Sequence, residues 1–343
     1  MKVKTFKVGN FIIGNPKTVF LIAEIGINHG GKFDFCKRMI IEAAKSGANA
    51  IKLQTIDPEE SYLKNTPSYK EFLKKNFNDE ELYNLKKITE KLGLVFFSTP
   101  GDFKSLERLK KIGVKLIKIS SGLITNIPLI EQVSRFDIPM IISTGMAYQS
   151  EIQESVKAAK KFSNKGLGIL KCTSLYPAPD KTINLNSIKI LKKKFNVPIG
   201  YSDHTIDDLT IYGAVSLGAN IIEKHFTLNK KMLNADHRIS MEPKEFLNMS
   251  NNIKRMIEIL GSNKLIPNLS EQKKRYKSQR FIVAKRKILK GTKISIKDLA
   301  FKRSLKKVNK IKPKDYKKII NRVTKIDIKR DAILKKSFFK KYK

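Results

Sequence analysis

Two histidines stand at the ends of two short apolar runs in the second half of the chain. His204 closes V-P-I-G-Y-S-D-H, and His225 closes I-I-E-K-H. Neutral imidazole is a good ligand for divalent Mn, Fe, Co and Zn, so the pair predicts a metal site if the two runs are neighbouring strands. Of the other two histidines, His29 suits either a loop cap or an active-site residue, and His237 is expected in a solvated loop.

Two lysines lie inside otherwise apolar runs. Lys52 falls in A-I-K-L-Q-T-I and Lys118 in L-I-K-I-S-S-G. A buried, unpaired ammonium group is costly, so a phosphate or carboxylate ligand is expected beside them. The alternative is a structural ion pair with Glu24 or Glu223. Hydroxyl groups at other run ends would complete a phosphate cradle: Ser121, Ser143, Ser174 and Ser202.

These residues belong to eight short runs that are rich in β-branched and aliphatic side chains. Each run after the first is preceded by a helical pattern or a turn signal, and this repeating order favours parallel strands. Eight is the number that a (β/α)8 barrel needs, and active sites of such barrels lie where the strands end. The predicted strands are 20–26, 50–56, 94–100, 116–122, 139–146, 168–174, 197–205 and 221–227.

The sequence therefore predicts an α/β fold with a (β/α)8 TIM barrel. An open doubly wound sheet is the alternative, but no G-x-G-x-x-G follows the first strand, and every strand carries polar residues late in its run. Residues 58–77 break the regular spacing and are expected to form a long loop on the catalytic face. Helices are expected at 33–46, 105–112, 151–162, 209–217 and 246–260.

Length and composition favour a globular protein that is kept in a reducing compartment. With 343 residues, 41% of them hydrophobic, the chain can bury one large core and a small one. Cys36 and Cys172 show no C-x-x-C spacing, so neither a disulfide framework nor a structural zinc site is indicated. No stretch approaches the roughly 18 apolar residues of a membrane span. A cytoplasmic protein without a membrane segment is expected.

The net charge of +39 is unevenly distributed. From residue 273 to the end there are 29 Lys and Arg against 4 Asp and Glu. Such a field attracts nucleic acids and small anionic substrates alike. However, 59 Lys against 11 Arg, together with abundant Ile and Asn, indicates the bias of an AT-rich genome, so nucleic-acid binding is disfavoured. The charge change marks a boundary: we expect a barrel domain at 1–262, a linker at 263–278 and a small β-rich domain at 279–343.

Five strings in one order carry a family resemblance. They are A-E-I-G-I-N-H-G-G (23–31), K-L-Q-T (52–55), L-Y-P-A-P (175–179), G-Y-S-D-H-T (200–205) and I-E-K-H-F-T-L (222–228). Together they resemble the sialic acid synthase family, which includes the N-acetylneuraminate, legionaminate and pseudaminate synthases. The segment 279–343 resembles the antifreeze-like, or SAF, domain that ends those enzymes. The resemblance covers nearly the whole chain.

The resemblance implies a transferase that condenses phosphoenolpyruvate with an N-acylated mannosamine-type sugar. C3 of phosphoenolpyruvate attacks the open-chain aldehyde, water adds at C2, and phosphate leaves. It implies a divalent metal on His204 and His225, often Mn²⁺, with Mg²⁺ or Co²⁺ as alternatives, which polarises the aldehyde. Glu24 matches an acidic residue that acts as a general base or orienting group. Positions that hold phosphoenolpyruvate match Lys52, Thr99, Lys118, Ser121, Ser143, Ser174 and Ser202.

The resemblance also implies a sugar subsite and a dimer. Gln54, Tyr176 and Asp236 match positions on the sugar side. In the implied homodimer, each small domain caps the barrel of its partner, and Arg303 matches the arginine that reaches the acyl group of the substrate. The alternative for Arg303 is an ordinary charge in a basic segment.

Three departures from the family pattern leave the sugar open. Leu123 stands where many relatives carry Glu or Asp, and Ser174 where N-acetylneuraminate enzymes often carry Asn. Ser304, Leu305 and Lys306 replace a Pro-Gly-Asn-Gly string. A legionaminate- or pseudaminate-type synthase that uses a diacetamido-6-deoxy sugar is therefore an alternative. Two further alternatives are a keto-deoxy sugar acid synthase, which lacks the small domain, and a non-catalytic carbohydrate- or nucleic-acid-binding relative.

Overall fold

The chain forms two compact units in the computed structural model, Met1–Gly261 and Ser262–Lys343. The structure describes residues 4–233, 236–305 and 311–340, without the side chain of Tyr276. Each unit has its own hydrophobic core. Cys36 and Cys172 are both buried free thiols. Within the ranges just given, no helix combines the length and the hydropathy that crossing a bilayer requires.

The first unit is a closed barrel of eight parallel strands that follows a short antiparallel hairpin. The strands neighbour one another in chain order, and the last closes the ring against the first. The predicted (β/α)8 barrel is thus confirmed, and the doubly wound sheet is excluded. The hairpin comprises β1 (Phe6–Val8) and β2 (Phe11–Ile13), and the barrel comprises β3 (Phe20–Gly26), β4 (Ala50–Thr55), β5 (Val95–Pro100), β6 (Ile117–Ile119), β7 (Met140–Ser143), β8 (Leu167–Cys172), β9 (Ile199–Asp203) and β10 (Ile221–His225).

Helices cover the outside of the barrel. Their buried faces pack on the outward side chains of the strands and form the main core of the unit. The helices of the first unit are α1 (Phe33–Lys45), α2 (Pro58–Ser61), α3 (Pro67–Lys75), α4 (Asp79–Lys91), α5 (Phe103–Lys111), α6 (Ile127–Arg135), α7 (Gln149–Ala159), α8 (Asp180–Ile183), α9 (Ser187–Lys194), α10 (Leu209–Ser216) and α11 (Pro243–Leu260), with 3₁₀ turns at Ser121–Leu123 and His237–Ile239.

The inward side chains of the strands change from apolar to polar along the barrel axis. In β3, Phe20 and Ile22 belong to a core inside the barrel, whereas Glu24, two residues further on, lines a cavity. In β10, Ile221 belongs to the same inner core, and His225 lines the cavity. Because successive side chains of a strand point to opposite faces, residues two apart share the interior. Side chains of the hairpin fill the apolar end: Phe6, Val8 and Ile13.

The segment that was expected to be a long loop, 58–77, is largely helical, so that prediction was wrong. It contains α2 and α3, and each begins at a proline in the first turn that follows a capping side chain. Asp57 accepts a hydrogen bond from the backbone N–H of Glu59, and Thr66 accepts one from that of Tyr69. A capping residue followed by proline is a helix-start signal, and irregular spacing between the strands obscured it.

The second unit starts with a helix where a linker was predicted. α12 (Leu269–Ser278) begins with a capping box, in which Asn268 and Glu271 exchange side-chain and backbone hydrogen bonds. An antiparallel pair follows, β11 (Arg280–Ala284) and β12 (Leu299–Arg303). Isolated antiparallel bridges and 3₁₀ turns at Ile296–Asp298, Pro313–Lys318 and Lys336–Phe338 complete the described part. Its core is mostly aliphatic, with Ile282, Ile294, Ile319 and Leu334 beside Phe339.

Candidate active site

A cavity of about 580 Å³ opens at the C-terminal ends of the barrel strands. It contains thirteen of the fourteen site residues predicted from the sequence, whose individual roles remain predictions. Arg303 is the exception, since it ends β12 in the second unit and is exposed. The thirteen are Glu24, Lys52, Gln54, Thr99, Lys118, Ser121, Ser143, Ser174, Tyr176, Ser202, His204, His225 and Asp236.

A glycine makes room for two of these side chains. Gly26 ends β3 with φ +55°, a conformation that residues with a Cβ rarely adopt. A Cβ at this position would lie 3.0 Å from Glu24 Oε1 and 3.4 Å from Gln54 Nε2. These two atoms also face each other, because the Gln54 amide donates to Glu24 Oε1 at 3.4 Å. The glycine therefore allows Glu24 and Gln54 to meet in the cavity.

An ion-pair network forms the floor of the cavity. Lys52 Nζ lies 3.2 Å from Glu24 Oε2 and 3.4 Å from Glu223 Oε2. Lys118 Nζ lies 3.5 Å from Glu223 Oε1 and donates a hydrogen bond to Ser143 Oγ at 2.7 Å. The structural ion pair that was the alternative explanation for the lysines is therefore present. It does not replace a ligand, because the same lysines line an open cavity.

Burial and neighbouring charges shift the pKa values of the carboxyl and ammonium groups on the floor. Burial raises the pKa of Glu24 to about 7, although Lys52 opposes the rise. Burial acts in the same direction on Glu223, but Lys118 and Lys52 outweigh it and lower its pKa to about 2. Burial lowers the pKa of Lys118 to about 8, against the effect of Glu223. At neutral pH, two largely protonated ammonium groups thus face one full and one partial negative charge, which favours an anionic ligand.

Buried polar atoms that lack a well-formed hydrogen bond concentrate in this cavity. Within the described ranges, seven buried side-chain nitrogen or oxygen atoms make no hydrogen bond, and five of them belong to residues that line it. Buried polar groups in native proteins are nearly always hydrogen-bonded, so a cluster of exceptions needs an explanation. Glu24 Oε2 and Glu223 Oε2 face Lys52, and His225 Nδ1 faces Asp236. The hydroxyls of Thr99 and Ser174 have no such partner among the described residues, and a bound ligand rich in oxygen would accept from them. The five atoms are Glu24 Oε2, Thr99 Oγ1, Ser174 Oγ, Glu223 Oε2 and His225 Nδ1.

The two histidines at the strand ends lie side by side. Their ring centroids are 5.4 Å apart. His204 Nδ1 lies 2.7 Å from the carbonyl oxygen of Thr173, which assigns a proton to Nδ1 and, in the neutral ring, leaves the lone pair on Nε2. Burial lowers the pKa of His204, but Cys172 and the Thr173 carbonyl outweigh burial and raise it. Burial and the neighbouring His204 lower the pKa of His225 well below its ordinary value, so this ring is neutral. His225 Nδ1 lies 3.5 Å from Asp236 Oδ2, and the ring of Tyr176 stacks on His204 at 4.1 Å.

The protein offers few further metal ligands beside this pair. In the parts of the chain that the structure describes, three or more His, Cys, Asp or Glu side chains do not come together in a cluster suited to a metal ion. The two imidazoles do fit a divalent transition metal, because each is oriented in the cavity wall and one carries a buried nitrogen without a hydrogen bond. A metal held here would take its remaining ligands from water or substrate.

Sequence reasoning gave too small a role to Glu223. It appeared only as a possible partner for a lysine, yet it joins Lys52 and Lys118 and accepts a hydrogen bond from Ser202 Oγ at 2.9 Å. The signal was available, because Glu223 precedes His225 by two residues in the same strand and therefore points into the same interior. Leu123, which departs from the family pattern, also lines the cavity.

The other two histidines do not line the cavity, and both are buried. His237 contacts Thr227 Oγ1 through its Nδ1 at 2.8 Å, so the expectation of a solvated position was wrong. His29 Nδ1 accepts a hydrogen bond from the backbone N–H of Gly31 at 3.0 Å, and its ring stacks on Phe77. Of the two alternatives for His29, the loop cap agrees with these contacts.

Acid is expected to destabilise the protein through His29. Burial, aided by Lys75, lowers the pKa of His29 from 6.5 to about 3. The unfolded chain therefore binds a proton that the folded chain excludes between these two values, and the free energy of unfolding falls as pH falls through this window. The difference in unfolding free energy between wild type and His29→Asn should shrink by about 2 kcal/mol from pH 7 to pH 5. Urea titrations at the two pH values measure it, and a constant difference would contradict the assignment.

Comparison with protein families separates the alternatives. Residues 39–265 match the model of the NeuB family, and residues 279–340 match the model of the SAF domain. The chain belongs to the NeuB family. The family match covers most of the barrel, and the second match lies in the small basic unit. Because the keto-deoxy sugar acid synthases lack an SAF-like domain, the second match argues against that alternative.

Relatives of this NeuB-family chain include named synthases. An uncharacterized protein of Methanocaldococcus jannaschii is 42% identical over 97% of this chain and 98% of its own length. The N,N'-diacetyllegionaminic acid synthase of Legionella pneumophila is 35% identical over 83% of this chain and 85% of its own length. A crystal structure of N-acetylneuraminic acid (sialic acid) synthetase from Leptospira borgpetersenii in complex with citrate is 40% identical, with a TM-score of 0.76, over 79% of this chain and 95% of that one. The chain is therefore an enzyme of a sialic, legionaminic and pseudaminic acid synthase family.

Proposed function

We propose that this NeuB-family enzyme condenses phosphoenolpyruvate with the aldehyde form of an N-acylated mannosamine-type sugar, forms a nonulosonic acid and releases phosphate. The buried hydroxyls of Thr99 and Ser174, unpartnered in the described part of the chain and set in a cavity whose floor contains two lysines, are the observation that carries this proposal. Such a cavity needs a ligand that is anionic and rich in oxygen. The named relatives, which are synthases of nonulosonic acids, supply the reaction class.

Phosphoenolpyruvate is assigned to the floor of the cavity. Its phosphate and carboxylate groups would take the charges of Lys52 and Lys118, and the unpaired hydroxyls of Thr99 and Ser174 would donate to its oxygens. Ser143 already holds Lys118 through a hydrogen bond. The remaining predicted contacts come from Ser121 and Ser202, which line the same cavity.

Glu24 is the proposed acceptor of a proton. With a pKa raised to about 7 by burial, against the lowering effect of Lys52, it exists in both protonation states at neutral pH. A general base works best when its pKa lies near the working pH. We assign it the proton of the water that adds at C2, and the Gln54 amide orients its carboxylate.

His204 and His225 are the proposed ligands of a divalent metal. Mn²⁺ is the first candidate, and Mg²⁺ and Co²⁺ are the alternatives. The carbonyl of Thr173 fixes the ring of His204 by accepting from Nδ1, an arrangement common for histidines that bind metals. When bound, a divalent ion acts as a Lewis acid on the aldehyde oxygen. Asp236, beside His225, is available to orient a water or a sugar hydroxyl.

The sugar is assigned to the mouth of the cavity, beside Gln54, Tyr176 and Asp236.

A second candidate function is favoured by Leu123, which lines the cavity together with Ile56 and Met146. These apolar side chains offer no acceptor for a sugar hydroxyl and suit the methyl groups of a diacetamido-6-deoxy sugar. A legionaminate- or pseudaminate-type synthase is therefore the alternative within the same reaction class.

Assembly as a domain-swapped homodimer belongs to the same proposal. Arg303, at the exposed end of β12, would reach the acyl group of a sugar in the partner barrel. A mixture of two inactive variants, Arg303→Ala and Glu24→Gln, provides the check. If Arg303 acts across the dimer, mixed dimers contain one intact site and regain activity, whereas action within one chain gives no recovery.

Phosphate release with a panel of sugars tests the reaction. Protein loaded with Mn²⁺ is incubated with phosphoenolpyruvate and either N-acetylmannosamine or a diacetamido-6-deoxy sugar, and inorganic phosphate is measured. We expect release that requires both substrates, with a higher kcat/KM for the sugar that the enzyme prefers. Leu123→Glu is expected to shift that preference toward N-acetylmannosamine by about 10-fold or more, the value of one or two hydroxyl contacts. Absence of phosphate release with every sugar would refute the proposed function.

A further inference from the structure

A fully buried ion pair lies directly behind the two histidines. Asp203 precedes His204, and Lys224 precedes His225; both side chains are 0% exposed. Lys224 Nζ lies 2.5 Å from Asp203 Oδ2. The two residues are register partners on β9 and β10, the neighbouring strands whose ends carry the histidines. The pair thus links the ends of the two strands that carry the histidines.

The pair faces away from the cavity. Side chains alternate along a strand, and Ser202, His204, Glu223 and His225 line the cavity whereas Asp203 and Lys224 do not. The ion pair therefore contacts no substrate. Its position between the sheet and the start of α10 is shown by Thr210, whose hydroxyl donates to Asp203 Oδ1 at 3.0 Å.

Both members of the pair hold the segment that follows β9. Lys224 Nζ donates to the carbonyl oxygen of Thr205 at 2.5 Å and approaches that of Asp207 at 3.4 Å. Asp203 Oδ1 accepts from the backbone N–H of Thr205 at 3.2 Å and from the hydroxyl of Tyr201 at 3.0 Å. The residues on both sides of His204 are thereby fixed to each other and to the neighbouring strand.

Fold stability alone gives a weak reason for such a pair. Removing two charges from water is expensive, and replacement of a buried ion pair by neutral groups of similar size is often neutral or stabilising. Lys224 makes directed contacts to the backbone carbonyl of Thr205, next to His204, and to that of Asp207. These contacts hold the segment that follows β9, which includes His204, in a fixed position.

We propose that Asp203 and Lys224 are positioning residues that set the separation and orientation of the His204 and His225 imidazoles for a shared divalent metal. The inference rests on the proposed function, since it presumes that the two histidines bind the metal. Groups that orient metal ligands without touching the metal commonly change metal affinity by 10–100-fold. The pair acts through the strand ends and not through substrate.

Titration calorimetry of Mn²⁺ into the full-length protein without substrate tests the inference. The variants are Lys224→Met and the neutral double variant Asp203→Asn/Lys224→Met. The single variant leaves a buried carboxylate unpaired, so a loss of both thermal stability and Mn²⁺ affinity is expected. The double variant carries no unpaired charge, and its melting temperature is expected to recover toward that of wild type. Its Mn²⁺ affinity is expected to stay at least about 10-fold weaker, because the carbonyls next to His204 are no longer held.

A distant core variant separates instability from positioning. Leu106→Ala removes a fully buried side chain of α5, away from β9 and β10, and is expected to lower the melting temperature without changing Mn²⁺ affinity. If the double variant binds Mn²⁺ with wild-type affinity, the positioning role is wrong, whereas the assignment of the metal site to the two histidines is unaffected. If wild-type protein takes up no Mn²⁺, the metal proposal itself fails, and the inference falls with it.

Discussion

His225→Ala is expected to abolish Mn²⁺-dependent phosphate release and to remove Mn²⁺ binding. The pKa of His225 is held well below its ordinary value by burial and by His204, so the ring offers a lone pair at neutral pH. Its Nδ1 makes no hydrogen bond with another described residue. Loss of several kcal/mol of charge stabilisation corresponds to a fall in kcat/KM of about 10³-fold. The same result is expected for His204→Ala, whose Nε2 is the free nitrogen.

Calorimetry and steady-state kinetics check this prediction together. The matched control is His237→Ala, since His237 is also buried but contacts Thr227 and does not line the cavity. That variant is expected to lose stability and to keep its affinity for Mn²⁺. Full activity of either cavity variant at limiting metal would show that the two-histidine assignment is wrong.

Lys52→Met is expected to cause the largest loss of stability among substitutions in the cavity. The ammonium group of Lys52 lies between Glu24 and Glu223, at 3.2 and 3.4 Å. Its removal leaves two buried carboxyl groups without their shared partner, which costs about 3–5 kcal/mol of unfolding free energy. Glu24, whose pKa burial raises to about 7 even against the effect of Lys52, relieves part of this loss by taking up a proton. The loss should therefore be greater at pH 8 than at pH 6.

Urea unfolding at the two pH values measures the effect, with a surface pair as the control. Lys104 Nζ lies 2.6 Å from Asp57 Oδ2, but its side chain is 64% exposed. Exposed ion pairs contribute less than about 1 kcal/mol, so Lys104→Met is expected to be nearly silent. If Lys52→Met were equally silent, the network on the floor would carry no stabilising energy, and its description as an ion-pair network would need revision.

The barrel could be predicted because its strands contain two signals at once. Apolar side chains at the beginning of each run mark the buried sheet, and polar ones at the end mark the catalytic face. In β3, Phe20 and Ile22 give the first signal and Glu24 the second. Alternation along the strand then orders the side chains without any tertiary information. Alternation accounts for cavity residues within strands, such as Glu24 and Lys52, whereas the prediction of Tyr176 and Asp236 came from the family resemblance.

The parts that escaped prediction depend on contacts between distant segments. The inward direction of Glu223 could be inferred from its place two residues before His225. That it pairs with both Lys52 and Lys118 depends on how β10 lies relative to β4 and β6, which no local pattern expresses. The burial of His237 likewise depends on Thr227 across a loop. The helices α2, α3 and α12 could have been predicted from local sequence, because a capping residue precedes each of them. They were missed because the irregular spacing and the charge change favoured a loop and a linker at these positions.

The preferred sugar could not be predicted for a physical reason. Selectivity between related sugars depends on one or two hydroxyl contacts at the mouth of the cavity. Leu123 shows which acceptor is missing but not which group replaces it, since an apolar wall accepts several substituents of similar size. The floor residues are proposed to bind the phosphate and carboxylate groups of phosphoenolpyruvate, which is the common substrate of this reaction class. Their types are therefore easier to predict from sequence than those of the residues that contact the sugar.

The hairpin of β1 and β2 has a kinetic consequence. Phe6, Val8 and Ile13 pack with the apolar core inside the barrel, at the end opposite to the catalytic cavity. Among the described residues, this packing closes the barrel axis at that end, so substrates are expected to enter through the mouth of the cavity. In the proposed reaction, phosphoenolpyruvate occupies the floor and the sugar lies above it. The substrates are therefore expected to bind in a compulsory order, phosphoenolpyruvate first, and a sugar analogue that occupies the mouth should slow both its entry and its escape.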